Sequence, residues 1–215
     1  MRVVGLVGCR SKRSIRTTRR DPDARPAPDL VKRRFTASGV DLLWVADFTY
    51  VPTGEAGAPR QLDKMRFLGA MTYRMGALAA DADRLAVVTG DLNVAHRRED
   101  LRNWKANVRK AGCLPEERAV LDTWLDGGWV DVHRALARDG IAPYTWWTWR
   151  GQAFDTDTGW RIDYQLATSA LAARALDGRV GRAGSYAERW SDHAAVVVDY
   201  DLELGAEPGQ PVSDG

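Results

Sequence analysis

Cross-linking chemistry is scarce in this sequence. Its two cysteines, Cys9 and Cys113, stand far apart and in no C-x-x-C or metal-ligand spacing. That excludes a disulfide framework and a cysteine-built zinc site, and leaves both as inert thiols. Long apolar runs are also missing: Leu85 to Thr89 and Ala194 to Val198 are short and flanked by charge. No stretch reads as a membrane span or a secretory signal, so a cytoplasmic protein is expected. Internal repeats and fibrous periods are absent as well. What is present is an ordinary globular composition, 45% hydrophobic and 28% charged over 215 residues, enough to bury a core.

Charge is unevenly distributed. Met1 to Arg34 holds eleven Lys or Arg against three Asp, whereas the remainder carries 20 basic against 26 acidic residues. The basic balance is therefore local. Such a segment either meets phosphate, with salt-dependent affinity, or is a solvated arm. Residues 9–30 add three prolines without an apolar period, which predicts little fixed structure there.

Beyond the arm, Val40 to Val51 is rich in β-branched, aromatic and aliphatic residues and stops at Pro52 and Gly54, the pattern of a buried strand ending in a turn. From Asp63 to Ala80, Met65, Leu68, Met71, Met75 and Leu78 recur three or four apart, one apolar helix face that packs into a core. Leu85 to Thr89 reads as a short strand leaving through Gly90 into a loop. Leu101 to Lys110 and Pro115 to Asp126 read as helices, closed by Gly112 and Gly127. Tyr144 to Arg150, Arg161 to Ala167 and Ala194 to Leu202 read as strands. The mixture predicts an α+β layered fold.

Three acidic segments stand at strand ends. In Gly90-Asp91-Leu92-Asn93, alternation along an extended segment puts Asp91 and Asn93 on one side, able together to hold a water or a metal. Asp163 lies among apolar strand neighbours, where a carboxylate is costly to bury without a partner. Asp192-His193 enters the last strand and sets a hard oxygen ligand beside an imidazole. Each has a plain structural reading: a turn residue at Asp91, a core ion pair at Asp163, a strand-entry hydrogen bonder at His193. Together, acids and a histidine without cysteine suit magnesium-assisted hydrolysis of a phosphate ester.

The strings TYVPTGEAGAPRQ, VVTGDLNVAHRREDLRNWKANVRKAGCLPEER, PYTWWTWRGQAFDTDTGWRIDYQLAT and YAERWSDHAAVVVDY resemble, in order, successive blocks of exodeoxyribonuclease III in the exonuclease/endonuclease/phosphatase superfamily. The resemblance runs from about Thr49 to Asp201. It implies a four-layered α/β sandwich, incomplete at its amino-terminal side, with two mixed sheets face to face, helices outside and the site at one end. Tyr50 resembles the tyrosine that contacts phosphate, Asp91 the carboxylate that activates water or protonates the leaving oxygen, and Asn93 its orienting partner. Asp163 resembles the acid that hydrogen-bonds the catalytic histidine, here His193. Asp192 looks like a ligand of magnesium, or of manganese in its place, with Asp91 and Asn93 at the same metal site. The implied substrate is double-stranded DNA, cut 3′ to 5′ from its end or beside an abasic site. Trp146, Trp147 and Arg150 resemble the segment that inserts near an abasic nucleotide; alternation sets Trp147 and Trp149 on the face opposite Trp146, so one set is expected in the core.

The resemblance also implies a T-W-N-V-N-like strand and a Q-E-T-like string whose glutamate is a principal magnesium ligand. Neither string occurs here, and Glu55 matches a different family position. Instead, the stretch from Arg10 to Thr53, with its W-V-A-D-F-T-Y-V string, resembles the approach to the catalytic domain of an insertion-sequence transposase of the retroviral-integrase superfamily. Asp47 matches the first acid of that family's triad; the other two acids have no counterpart downstream. Residues 1–48 are thus read as a basic transposase-like arm ending in a strand, 49–204 as the carboxyl-terminal part of an exodeoxyribonuclease III, and 205–215 as a disordered tail. A soluble monomer is expected. Four readings follow: a working nuclease, an inactive DNA-binding remnant, a transposase fragment binding insertion-sequence ends, and a fusion product with no stable fold.

Overall fold

The computed structural model describes residues 59–202. The expectations for the basic arm, the Val40 to Val51 strand, Asp47, Tyr50, Glu55, Cys9 and the tail lie outside the described residues.

Helix α1 (Pro59–Ala79) follows the methionine stripe. Leu68, Met71 and Met75 are buried, with Met65 and Leu78 partly buried at the edge of the same cluster. Helix α3 (Pro115–Asp126) starts with its proline in the first turn, where a missing N–H costs nothing, and stops at Gly127. Glu117 reaches back to accept the Leu114 N–H at 3.0 Å, one half of a capping box. Leu121 and Trp124 turn toward α1, and Trp124 Nε1 donates to Thr72 Oγ1 at 2.7 Å, fastening the two helices.

Strand β1 (Val87–Asp91) starts two residues later than the apolar run suggests and includes Asp91; Leu85 is exposed. It pairs antiparallel with β3 (Asp163–Thr168), whose other edge takes β2 (Trp129–Asp131), giving the order β1-β3-β2. A second sheet pairs β4 (Ala175–Val180) with β5 (Val196–Tyr200). Alternation along β3 builds the layers. Tyr164 and Leu166 join the α1 and α3 core, while Ala167 packs toward Val198 and Tyr200 of β5, and Gln165 Nε2 donates to the Val196 carbonyl at 3.1 Å. Two sheets thus face each other with helices outside, the expected α+β sandwich, represented by three and two strands among the described residues.

Some local expectations give way to long-range pairing. Leu101 to Lys110 forms only a short helix, α2 (Trp104–Asn107), because Leu101 bridges Trp160 and the Arg102 N–H donates to the Gly159 carbonyl at 3.2 Å. Tyr144 to Arg150 is not a strand. Only Trp146 forms bridges, to Trp160 on one side and His193 on the other, and the chain then turns where the Arg150 N–H donates to Thr148 Oγ1 at 3.3 Å. Strand β2, helix α4 (Val132–Leu136) and helix α5 (Ser169–Ala172) are too short to show a period.

Candidate active site

The β1/β3 register sets Asp91 directly opposite Asp163. Like charges at such a cross-strand position repel, so a compensating cation is required between or beside them. His193 lies between them, and its protonated form is such a cation. Its Nδ1 lies 3.0 Å from Asp163 Oδ2 and 3.2 Å from Oδ1, while Nε2 lies 3.9 Å from Asp91 Oδ2. With Nδ1–H donated to Asp163, the ring is oriented and Nε2 is left on the Asp91 side. Burial alone would lower the imidazole pKa; the hydrogen bond to Asp163 and the charges of Asp163, Asp91 and Asp192 outweigh it and hold His193 above its ordinary value. The 3.9 Å gap is too long for a direct hydrogen bond. One oxygen about 2.8 Å from each group spans it at roughly a right angle, which is what a water or a phosphoryl oxygen needs.

Asn93 reaches Asp91 by a route that alternation does not describe. It is not extended: its φ is 50°, the left-handed region that Asn enters more readily than most residues. In that turn its backbone N–H donates to Asp91 Oδ1 and its side-chain amide to Asp91 Oδ2, both at 2.7 Å. These two donors fix the carboxylate plane at the strand end.

Thr145 ties the site together. Fully buried, its hydroxyl accepts the N–H groups of Ile162 and Asp163, both at 3.1 Å, and its carbonyl accepts the Ala194 N–H at 2.7 Å. The start of β3 and the residue after His193 are therefore held by one residue. Beneath them, Arg161 is buried between Asp100, at 2.9 Å from its Nε, and Asp131, with Arg134 bridging the same two acids. Although burial alone would raise it, Arg161, Arg134 and the Arg97 N–H hold the Asp100 carboxyl below its usual range. This network anchors the approach to Asp163 two residues before it, and sequence reading found none of its members: Arg161 reaches its two acids over 30 and 61 residues and Arg134 reaches Asp100 over 34, with only the Arg134–Asp131 pair local.

Of the expected DNA-facing residues, Trp146 is half-buried. Its Nε1 donates to Asp192 Oδ2 at 3.2 Å, and its ring stands edge-on to Trp160 with centroids 6.2 Å apart. Trp146, Trp160 and Ile162, with Asn93, line a cavity of about 160 Å³. Trp147 is corrected to a core residue: it is 2% exposed, packs on Phe154 and Ala194, and donates from Nε1 to Asp157 at 3.0 Å. Gly159 exists for that ring, since a Cβ there would meet Trp147 Nε1 at 2.6 Å. Arg150 is exposed at the turn. A second groove, of about 440 Å³, opens beside Tyr144 and is lined by Arg98, Arg102, Trp104 and Lys105.

Among the described residues no group of three His, Cys, Asp or Glu side chains converges as a metal cage. Magnesium does not demand one. It is commonly held by one or two carboxylates and completed by water and substrate oxygens, and Asp192 and Asp91, with the Asn93 amide oxygen, offer hard donors of that kind. Asp91 and Asn93 meet directly, while Asp192 Oδ2 is engaged by Trp146 Nε1. No described helix is long and apolar enough to cross a membrane.

The chain is 35% identical over 166 residues to the DNA repair nuclease APEX1 of Danio rerio, covering 77% of this chain and 51% of that protein. It is 34% identical over 149 residues to an exodeoxyribonuclease of Bacillus subtilis, covering 69% and 57%. The chain thus spans about half the length of these curated relatives. Among solved structures, a 3′ phosphatase from Neisseria bound to a product DNA hairpin superposes with a TM-score of 0.62 at 31% identity, over 67% of this chain and 56% of that one. An AP endonuclease from Archaeoglobus fulgidus gives 0.61 at 29%, over 72% and 60%. A family model also matches residues 11–193, beginning inside the stretch read as a basic arm. With that match across most of its length, and with its acids and histidine gathered at strand ends, the chain belongs to the Endonuclease/Exonuclease/phosphatase family.

Proposed function

We propose that this chain is a divalent-metal-dependent DNA phosphodiesterase of the exodeoxyribonuclease III type, acting on duplex DNA at abasic sites and 3′ ends. The observation that carries the reading is the Asp163–His193–Asp91–Asn93 constellation, with its 3.9 Å opening between an imidazole nitrogen and a carboxylate oxygen.

In this reading His193, oriented by Asp163 and with its protonated form favoured by the neighbouring carboxylates, donates Nε2–H to a non-bridging phosphate oxygen. Asp91, its plane fixed by both Asn93 donors, takes the proton of the attacking water. Magnesium, or manganese in its place, held by Asp192 with Asp91 and Asn93, supplies charge neutralisation at the phosphate when bound. Tyr50 is proposed as a further phosphate contact. The cavity lined by Trp146, Trp160, Ile162 and Asn93 is small, with aromatic walls and a polar edge at Asn93, dimensions that suit a sugar without its base better than an intact nucleotide. Arg150 and the groove bearing Arg98, Arg102 and Lys105 supply cations for the DNA backbone. Relatives named as nucleases and a neighbour bound to a product DNA hairpin support the substrate class. The W-V-A-D-F-T-Y-V string supports a transposase-like origin for the arm preceding Thr49.

A second reading, binding of DNA without cleavage, is favoured by the lack in this sequence of a Q-E-T-like string, whose glutamate the resemblance makes a principal magnesium ligand. One assay separates them: cleavage of a labelled duplex with a single abasic site, in magnesium or in EDTA, by the chain and by His193→Ala and Asp91→Asn. Magnesium-dependent nicking lost in both variants supports the phosphodiesterase. Binding without nicking by a folded protein leaves the second reading.

A further inference from the structure

The turn at Asn93 is clamped from behind. Its carbonyl accepts a hydrogen bond from Lys64 Nζ, on α1, at 2.9 Å. That ammonium is in turn 2.7 Å from Glu117 Oε1, at the start of α3; the two side chains are 10% and 0% exposed. The Glu117 carboxylate also accepts the Gly112 N–H at 2.7 Å and the Leu114 N–H at 3.0 Å through Oε2, and Gln61 Nε2 at 3.3 Å through Oε1. Gly112 closes the clamp: with φ +88°, a Cβ there would stand 3.0 Å from the Asn93 carbonyl oxygen, and its own carbonyl accepts the Ala95 N–H at 2.7 Å.

A buried ion pair is seldom the best way to stabilise a fold, since desolvating two charges consumes most of their attraction. Fixing one geometry is a better attested use. Here the cation is spent on the carbonyl of a residue in a left-handed turn, and that residue's two N–H donors orient Asp91. We propose that Lys64 and Glu117 are a positioning pair for the reaction: from α1 and α3, outside the reacting face, they lock the Asn93 turn and so aim Asp91. Neither side chain touches substrate. Their effect passes through the Asn93 carbonyl oxygen, which ties the site to the packing of α1 against α3.

The proposal rests on the phosphodiesterase reading for its kinetic arm only. Lys64→Met, nearly the same length without the charge, is compared with Lys64→Arg, which keeps a cationic donor. Two measurements are made on each: steady-state kinetics on an abasic duplex, and the Asn93 side-chain amide resonance of the ¹⁵N-labelled protein, assigned by its loss in Asn93→Asp. Displacement of a catalytic group by a fraction of an ångström to 1 Å lowers kcat by about tenfold to a hundredfold. Lys64→Met is expected to show that loss with KM within about twofold and a shifted Asn93 amide, and Lys64→Arg to recover most of both. A folded Lys64→Met protein with the amide resonance unmoved overturns the proposal. If the parent chain does not cleave, the nuclease reading falls and the amide measurement alone decides this one. If Lys64→Met does not fold, Glu117→Gln, which retains an oxygen for the loop N–H groups, is read by the same two criteria.

Discussion

Acid should weaken this fold at one identifiable histidine. His133, in α4, is 1% exposed, and neither ring nitrogen has a hydrogen-bond partner among the described residues. Burial is the main reason its pKa falls from the ordinary 6.5 to about 4, with Arg161 reinforcing the shift. The native protein therefore holds it neutral across a window where the unfolded chain takes up a proton. Because the folded pKa is the lower one, the unfolded state binds more protons between about 4 and 6.5, and stability falls as pH falls through that window. Above 6.5 the residue contributes no pH dependence; below about 4 its penalty is complete. A shift of that size corresponds to about 3 kcal/mol, at 1.36 kcal/mol per unit, a large share of a domain's stability of roughly 5–15 kcal/mol. His133→Leu removes the titration while keeping an apolar side chain of similar bulk beside Val132 and Leu136. Urea unfolding at pH 7.5, 6.0, 5.0 and 4.0 measures it. The Asp100 carboxylate, held below its usual range, also loses its stabilising effect in acid, but it does so in both proteins. The variant is expected to gain on the parent progressively from pH 6.5 downward. Parallel curves, with no gain by pH 4, refute the reasoning, since they require His133 to be protonated or hydrated in the native state.

Asp163→Asn removes the carboxylate whose hydrogen bond and charge raise the His193 pKa. NMR titration should place the His193 pKa lower in the variant, and abasic-site cleavage should fall away at a lower pH; an unmoved titration would sink the assigned pairing. Thr145→Val leaves the Ile162 and Asp163 N–H groups without their acceptor, at about 1–3 kcal/mol for each lost partner, so denaturant unfolding should register about 2–6 kcal/mol. Arg102→Ala and Lys105→Ala should each weaken duplex binding regardless of sequence and reduce the salt slope by about 0.9; an unchanged slope would remove that groove from the DNA path.

The parts of this molecule that its sequence discloses are those decided by neighbours in the chain. The α1 stripe and the α3 start and stop signals are local, and both helices stand where those signals put them. Asp91, Asp163 and His193 were legible as chemistry at strand ends, and their meeting follows from a register that places Asp91 opposite Asp163. What local signals miss is the scaffolding. Thr145 is one threonine inside an aromatic run, and only its two accepted N–H groups, 17 and 18 residues away, mark it. Lys64 and Glu117 lie 53 residues apart and read singly as surface charges on amphipathic helices. Asn93 shows the boundary most sharply. Alternation put it beside Asp91, and it is beside Asp91, but through a left-handed turn rather than an extended strand. The proposed reactive groups are acids, an amide and a histidine, and such residue types declare themselves. The groups that aim them need only supply a hydrogen bond at the right place, which any of several residue types can do. Their identity is therefore written in the fold, and a site of this kind is best tested from its supports inward.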